Sequence, residues 1–259
     1  MRAIDAVREA ERRLAAAGVP TPRVDAELLV AHALGAPRTS LYAVPGREVD
    51  GLEPLLARRE AREPLAYILG EWGFRRLTLR TDSRALVPRP ETEVLVERTL
   101  ALIRDLPEPR VLDVGVGTGA IALALALEHP GARVTGVDIS RCALELAGEN
   151  ATRLGLEVEL REGGVETAAE GWDLVVSNPP YVENLEGLEP ELGWEPIGAL
   201  LGNGLHGEIA RTAHTRWLVL EVGDGQAGAV AADLTAVGYR GVRITTDLAG
   251  RQRVVEGER

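Results

Sequence analysis

The amino-acid sequence predicts an α/β protein built on a largely parallel, doubly wound sheet. After Pro109, short apolar strand-like segments alternate with segments of helical spacing, the pattern of repeated strand–helix units. A glycine-rich loop separates the first of these strands from its helix. The last two strand-like segments leave no room for a crossover helix, so we expect the sheet to end in an antiparallel hairpin.

The first seventy or so residues show helical periodicity and no alternating strand pattern before Phe74. Apolar residues recur at three- and four-residue spacing in segments 3–17 and 24–34, and a third helical run covers 51–62. Charge-rich helices of this kind serve as caps, dimerisation modules or substrate-recognition domains. We predict a small helical substrate-recognition domain for residues 1–73.

Residues 74–88 are predicted to form a β-hairpin linker. From Phe74 the pattern changes to alternation, with Leu77 and Leu79 two positions apart and Thr81-Asp82-Ser83 as the expected turn. A helix then opens after Pro90, with acidic residues in its first turn, where the helix dipole favours negative charge.

Residues 89–259 form the predicted α/β domain. Its predicted strands are RVLDV (110–114), RVTGVDIS (133–140), EVELRE (157–162), WDLVVS (172–177), RWLVLEVG (216–223), YRGVRITTD (239–247) and QRVVEG (252–257).

Composition narrows the classes of function. The net charge of −11 and an aromatic content of 3% disfavour nucleic-acid binding, which relies on basic surfaces and stacking side chains. One cysteine, Cys142, cannot form an internal disulfide, and with four histidines it offers no metal-ligand cluster. The N-terminal stretch lacks the apolar core of a secretory signal and no apolar run reaches a membrane span, so we expect a cytoplasmic protein with no metal.

A glycine-rich loop follows the first strand of the α/β domain. Gly115, Gly117 and Gly119 are spaced G-x-G-x-G, one residue shorter than the dinucleotide fingerprint. Glycine suits a loop whose backbone takes positive φ or approaches a ligand closely. Taken alone, the loop also fits a tight turn or the cofactor loop of an NAD-dependent dehydrogenase.

An aspartate at the end of the second strand strengthens the prediction of a cofactor site. Asp138 lies about twenty residues beyond the glycine loop, where a carboxylate can accept hydrogen bonds from both hydroxyls of a ribose. Helix capping is the alternative for Asp138, but Ser140 already offers it. We therefore predict an adenosine-containing cofactor, and we expect Asp113 to face a cationic amino group of that ligand.

The motif Asn178-Pro179-Pro180-Tyr181 ends the fourth strand, at the edge where such sheets bind ligands. A planar NH2 nitrogen attacks an electrophile poorly because its lone pair is delocalised. The side-chain oxygen of Asn178 and the carbonyl of Pro179 can accept both N–H hydrogens and favour a more tetrahedral nitrogen in the transition state. Tyr181 can stack on the planar group. A strand-ending turn with a surface tyrosine is the structural alternative, and we predict N-methylation.

The glycine loop, Asp138 and the Asn-Pro-Pro-Tyr motif together resemble the class I S-adenosylmethionine-dependent methyltransferases, from Val111 to the C-terminus. The resemblance implies a Rossmann-like, seven-stranded, mostly parallel sheet with a reversed last hairpin. It also implies S-adenosylmethionine as cofactor and S-adenosylhomocysteine as product. Such enzymes include adenine-N6 DNA, guanine-N2 rRNA and protein glutamine-N5 methyltransferases.

The segment from Glu63 to Glu97 resembles the linker of the release-factor glutamine methyltransferases. Its matching residues are Tyr67-Ile68-Leu69-Gly70, Phe74 and Pro88-Arg89-Pro90-Glu91-Thr92-Glu93. The cofactor residues implied by this resemblance are Asp113, Gly115, Val116, Gly117, Thr118, Gly119, Asp138, Ile139, Glu162, Val165 and Asn178. The implied substrate residues are Arg89, Pro90, Thr92, Asn178, Pro179, Pro180 and Tyr181, of which the last four are also the implied catalytic residues.

The resemblance implies a monomer that methylates the side-chain amide nitrogen, N5, of the glutamine in the Gly-Gly-Gln tripeptide of class I peptide chain release factors. Another protein glutamine, a small amide or amine metabolite, and an exocyclic amine of a nucleic-acid base are the alternative acceptors. A catalytically idle S-adenosylmethionine-binding module that acts through its helical domain is a further alternative. The acidic charge and scarce aromatic residues favour a protein partner over a nucleic acid.

Overall fold

The computed structural model describes residues 1–43, 46–182, 184, 186–202 and 204–259. The chain divides into two compact units: one consists of Met1–Glu71 and Leu188–Trp194, and the other of Trp72–Gly187 and Glu195–Arg259. Within the described ranges, no helix combines the length and apolar composition that crossing a bilayer requires.

The first unit is helical, as its periodicity predicts. Its α-helices are α1 (Ala3–Ala16), α2 (Pro22–Ala33), α3 (Leu52–Glu60) and α4 (Leu65–Leu69). The buried residues of α1, among them Val7, Ala10 and Leu14, lie on one face, which confirms the predicted amphipathic spacing.

A buried charge cluster attaches segment Leu188–Trp194 to the helices of this unit. The Arg59 guanidinium, 5% exposed, lies 2.7 Å from the Asp25 carboxylate and 2.8 Å from that of Glu191. Arg62 also pairs with Glu191, at 2.7 Å. Removing Glu191 would leave Arg59 with Asp25 alone and would take from Arg62 its carboxylate partner in a poorly solvated position.

The predicted hairpin is present, but its turn is not at Thr81-Asp82-Ser83. Strands β1 (Glu71–Phe74) and β2 (Leu77–Arg80) form a two-stranded sheet and are joined by Arg75 and Arg76. The alternation of buried Leu77 and Leu79 belongs to β2 alone, and its partner strand β1 begins at Glu71 and ends at Phe74. The expectation that no strand precedes Phe74 was therefore wrong, because β1 shows no apolar alternation.

The second unit confirms the predicted seven-stranded, mostly parallel sheet. Its strands are β3 (Arg110–Val114), β4 (Arg133–Asp138), β5 (Glu159–Glu162), β6 (Trp172–Ser177), β7 (Thr215–Glu221), β8 (Arg240–Thr246) and β9 (Gln252–Glu258). They lie in the order β5-β4-β3-β6-β7-β9-β8. Strand β9 is antiparallel to both of its neighbours, β7 and β8, so the reversed final hairpin is confirmed.

Helices cover both faces of this sheet. They are α5 (Thr92–Ile103), α6 (Ala120–Glu128), α7 (Arg141–Leu154), α8 (Leu205–Thr212) and α9 (Ala227–Ala236). Buried residues of α5, α6 and α7 form one apolar cluster with the sheet, and those of α8 and α9 contribute to a second cluster. Strands β3, β6 and β7 are buried between the two layers, which explains their nearly continuous apolar sequences.

Candidate active site

The site lies where the chain changes direction across the sheet. From β3 the chain adds β4 and β5 on one side, and it then returns to place β6 on the other side of β3. The loops that follow β3 and β6 therefore diverge at the carboxyl edge and leave a crevice between them. Val114, the last residue of β3, pairs in register with Ser177, the last residue of β6.

A cavity of about 520 Å³ occupies this crevice, a size that suits a cofactor of nucleoside dimensions. Most of the residues that the sequence predicted for the site line this cavity. Those that line it are Arg89, Thr92, Gly115, Val116, Gly117, Thr118, Asp138, Ile139, Val165, Asn178, Pro179 and Pro180.

The glycine loop takes a backbone conformation that other residues rarely adopt. Gly115, Gly117 and Gly119 have φ angles of 80°, 54° and 85°. At Gly119 a side chain would also collide with the following helix, since an added Cβ would lie 2.8 Å from Cδ1 of Leu123. Gly119 itself does not line the cavity, and its function is to begin α6 directly beneath the loop.

Asp138 joins the glycine loop to the start of α7. One carboxylate oxygen accepts the N–H of Gly117 at 3.0 Å, and the other accepts the N–H of Ser140 at 2.9 Å. Each oxygen keeps a further lone pair, and the half-buried carboxylate lines the cavity, so it can still accept hydroxyl groups of a ligand. Ser140 caps α7 through the N–H of Ala143, as predicted.

Asp113 lies behind the loop rather than in the cavity lining. Its side chain is fully buried, one oxygen accepts the N–H of Ala122 at 3.1 Å, and the other has no partner among the described residues. Burial raises the pKa of Asp113 to about 7. We expected Asp113 to face a ligand directly, whereas the structure places it under the loop, where its unpaired oxygen favours a nearby cationic ligand group.

The Asn-Pro-Pro segment is anchored at its start and presents two acceptors. The Ser177 hydroxyl donates to the Val114 carbonyl at 2.6 Å, which ties the ends of β6 and β3 together. The Asn178 amide donates from Nδ2 to Thr92 Oγ1 at 3.2 Å. No described residue donates to Oδ1 of Asn178 or to the carbonyl of Pro179, so both oxygens are available as the predicted acceptors.

A short chain segment supports the motif from behind. Val182 donates to the Leu200 carbonyl at 3.0 Å and accepts from the N–H of Gly202 at 3.2 Å. Only glycine fits at position 202, because a Cβ there would lie 2.2 Å from the carbonyl oxygen of Pro180. This close approach fixes the position of the Asn-Pro-Pro-Tyr motif relative to segment 200–202.

Tyr181 is not in the cavity lining. Its carbonyl accepts from Gln226 Nε2 at 3.0 Å, and its ring lies so close to Gly223 that a Cβ there would be 2.9 Å from Cδ2. Burial raises the pKa of the Tyr181 phenol. The predicted stacking of this ring on an acceptor group therefore stays a prediction.

The arginine between Pro88 and Pro90 pairs with a buried glutamate. Glu195 accepts the Arg89 guanidinium and, at 2.9 Å, the N–H of Val87, while its own side chain is fully buried. Arg89 lines the cavity, whereas Pro90 is exposed and lies outside it. Glu195 thus shapes the wall of the site, and no local pattern in the sequence marked it.

Glu162 is also outside the cavity lining. Its exposed carboxylate pairs with Arg141 at 2.7 Å, so it is turned toward solvent and not toward the ligand space. The adjacent Gly163, Gly164 and Val165 line the cavity in its place.

Sequence reasoning missed a second glutamate, Glu221. It ends the apolar strand β7 and is 1% exposed, and its Oε2 atom has no hydrogen-bond partner among the described residues. Burial raises the pKa of its carboxyl to about 7, and Thr92 and Asn178 act in the opposite direction. The available signal was a carboxylate within an otherwise apolar buried strand, which requires a specific partner. Among the described residues, no group of three or more histidine, cysteine or acidic side chains is arranged to hold a metal ion.

Two family models match the chain. The "PrmC N-terminal domain" matches residues 5–70, and the "Methyltransferase small domain" matches residues 92–197. Curated relatives named "Release factor glutamine methyltransferase" match nearly the full length. Those of Deinococcus radiodurans and Vibrio cholerae are each 40% identical and cover 98% of this chain, with 98% and 95% of the relative covered. That of Cereibacter sphaeroides is 42% identical, with 98% of both chains covered.

Solved structures share the fold at low sequence identity. The hMettl16 catalytic domain in complex with an MAT2A 3'UTR hairpin superposes with a TM-score of 0.57 at 15% identity, covering 79% of this chain and 81% of the other. A methyltransferase from Pyrococcus furiosus gives a TM-score of 0.50 at 17% identity, covering 70% and 87%.

Proposed function

Because this chain belongs to the release factor glutamine methyltransferase family, we propose that it methylates the glutamine of the Gly-Gly-Gln tripeptide in class I peptide chain release factors. The chain is an S-adenosylmethionine-dependent methyltransferase, and N5 of the glutamine side chain is the proposed acceptor. The proposal includes a monomer acting in the cytoplasm on a protein partner. The observation that carries it is about 40% identity to such enzymes across 98% of the chain.

The residues around the cavity fit the cofactor. The glycine loop gives a ligand close access to backbone, and Asp138 offers carboxylate lone pairs at the end of β4. Asp113 adds a buried oxygen without a partner among the described residues, which a positively charged amino group near the loop would stabilise. When bound, the cofactor supplies an electrophilic methyl group on a positively charged sulfur.

The Asn178 side-chain oxygen and the Pro179 carbonyl act on the acceptor. Both are oxygen acceptors at the cavity, so each can take one N–H of a planar amide and orient its nitrogen. Accepting both hydrogens raises the electron density on nitrogen as the amide loses planarity, and the proton that the nitrogen loses on methylation passes to water or to these same acceptors. The interaction is stronger in the transition state than in the ground state, which accelerates the transfer.

The test is transfer to a purified release factor. We expect that incubation with S-adenosylmethionine adds the mass of one methyl group to the peptide that contains Gly-Gly-Gln. Asn178→Ala should lower the rate at least ~100-fold, comparable to losing one preorganised transition-state group. Gln252→Ala removes an exposed amide on β9, away from the cavity, and should keep the wild-type rate.

Methylation found elsewhere would contradict the proposal. Label that appears in total RNA or DNA and not in the release factor would identify a nucleic-acid substrate. Label on a different protein glutamine, with the Gly-Gly-Gln peptide unmodified, would retain the chemistry and reject the partner.

A further inference from the structure

Glu221 lies directly beside the asparagine of the motif. Strands β6 and β7 are parallel neighbours, and Ser177 pairs with Leu220, so the next residues along the two strands are Asn178 and Glu221. Glu221 is 1% exposed and Thr92, at the start of α5, is 4% exposed. A carboxyl group, a hydroxyl group and the Asn178 amide thus meet with little access to water.

One hydrogen bond records the orientation of the Asn178 amide, since its Nδ2 donates to Thr92 Oγ1 at 3.2 Å. Thr92 and Asn178 both act to lower the pKa of the neighbouring Glu221 carboxyl, whose buried Oε2 atom has no partner among the described residues. An ionised carboxylate can only accept, and a threonine hydroxyl that donates its one proton offers only lone pairs to its other neighbour. Asn178 must therefore turn its NH2 group toward Thr92 and Glu221.

We propose that Glu221, acting with Thr92, is a positioning residue that fixes the Asn178 amide with its oxygen toward the acceptor nitrogen. The inference rests on the proposed function, since only an NH2 acceptor requires that orientation. In the reversed orientation Asn178 would present N–H groups to the N–H groups of the substrate, and the pair of acceptors would be lost.

Protonation of Glu221 would remove this control. A protonated carboxyl becomes a donor, so it can stabilise Asn178 with its oxygen turned inward. Burial raises the pKa of Glu221 to about 7, and Glu91 before α5 acts in the same direction while Arg253 on β9 opposes it. Two further groups face the carboxylate or its backbone. They are Tyr181, whose phenol has a raised pKa, and His206 on α8, whose buried ring has a lowered pKa and contacts the Glu221 carbonyl at 2.8 Å.

The experiment compares pH profiles of kcat for methylation of the release factor. Because the ionised form of Glu221 is the active one, wild-type kcat should rise about tenfold from pH 6 to pH 8. Glu221→Gln cannot titrate and carries its own donor, so it should show a flat profile and at least ~10-fold lower kcat at pH 8. Thr92→Val should also lower kcat at pH 8 by a similar factor, while KM changes by less than about threefold in both variants.

The matched control is Glu256→Gln. Glu256 is another buried glutamate of the same sheet, 4% exposed on β9 and bound to Arg98. Its replacement can lower stability but should keep the wild-type pH profile. A wild-type profile that is flat from pH 6 to 8, or a Glu221→Gln enzyme that matches wild type, would overturn the proposal.

A second readout needs no acceptor. In 15N-labelled protein the side-chain amide signals of Asn178, assigned by their loss in Asn178→Ala, should shift with a midpoint near pH 7 in wild type and stay constant in Glu221→Gln. Signals that do not titrate in wild type would reject the positioning function. A wild-type enzyme that shows this titration but leaves the release factor unmethylated would reject the proposed substrate instead.

Discussion

The Asp138 carboxylate holds the glycine loop in place and also lines the cavity. It accepts the N–H groups of Gly117 and Ser140, and so it holds the glycine loop and the start of α7 in place before any ligand binds. Its remaining lone pairs are directed at the cavity. Because the charged acceptor is already oriented, binding a ribose requires little further ordering of the protein.

Replacing Asp138 should therefore weaken cofactor binding. Asp138→Ala removes acceptors worth about 1.5–3 kcal/mol for each charged hydrogen bond, and we expect S-adenosylhomocysteine to bind at least ~10-fold more weakly by calorimetry. The control is Asp173→Ala, because Asp173 accepts the N–H of Arg110 at the opposite end of the sheet. Equal affinity for wild type and Asp138→Ala would contradict the assignment.

Individual site residues were predictable from sequence where a local motif marks them. Asn178 and Asp138 each follow a recognisable strand, and both line the cavity. Glu195 and Glu221 could not be found in this way, because their importance depends on partners far along the chain. Glu195 acquires its function from Arg89, and Glu221 from the placement of β7 beside β6.

Secondary-structure elements followed from periodicity when both their ends were marked. Strands β3 and β6 begin and end at the predicted residues, since each is an apolar run bounded by turn or charged residues. The hairpin β1–β2 was misplaced, because Glu71–Phe74 carries no apolar alternation of its own. The insertion of β9 between β7 and β8 is a tertiary choice that local patterns do not encode.

Segment 200–202 supports the Asn-Pro-Pro-Tyr motif, so we predict that adding one methyl group at Gly202 disturbs the site. In Gly202→Ala the new Cβ would lie 2.2 Å from the Pro180 carbonyl oxygen, so the backbone must move and displace Asn178 and Pro179. We expect kcat to fall at least ~10-fold, since small misplacements of reacting groups are costly, while S-adenosylhomocysteine affinity changes little.

Gly228→Ala is the matched control for this prediction. Gly228 lies exposed in α9 with open space around its Cβ position, so alanine should leave kcat unchanged and raise the unfolding free energy by about 0.5–1 kcal/mol. If Gly202→Ala also kept full kcat, the segment 200–202 would have no effect on the geometry of the motif.

For the protein as a whole, buried carboxyl groups link stability to pH in an unusual direction. The pKa of Asp113 is raised from 3.8 to about 7, so the folded state binds a proton over a pH range in which the unfolded state has released it. Stability contributed by this group is therefore present at low pH and lost as the pH rises toward 7.

Asp113→Asn cannot titrate, so the variant should not lose stability as the pH rises toward 7. Between pH 5 and about pH 7 the folded wild type keeps a proton on Asp113 that the unfolded chain has released, so wild type loses stability over this range and the variant does not. The unfolding free energy of the variant should therefore gain about 2.5 kcal/mol on wild type between pH 5 and pH 8. Urea denaturation of both proteins at the two pH values measures the difference. A difference that does not change with pH would show that Asp113 is ionised throughout.

The compact units of the structure are not continuous segments of the chain. Sequence reasoning used continuous segments, 1–73, 74–88 and 89–259. In the structure, Leu188–Trp194 belongs with Met1–Glu71, because Glu191 compensates Arg59 and Arg62. Glu191 is one of many glutamates in an acidic chain, so nothing in its local sequence distinguishes it.

The hydrogen bond from the Ser177 hydroxyl to the Val114 carbonyl limits which parts of the site can vary in sequence. Neighbouring strands lie about 5 Å apart, and this bond keeps β3 and β6 from separating where their loops begin. The distance between the starts of the glycine loop and of the Asn-Pro-Pro segment is thus set by the sheet and not by the loops themselves. Loops and helices around the cavity can differ while these two segments keep their starting points.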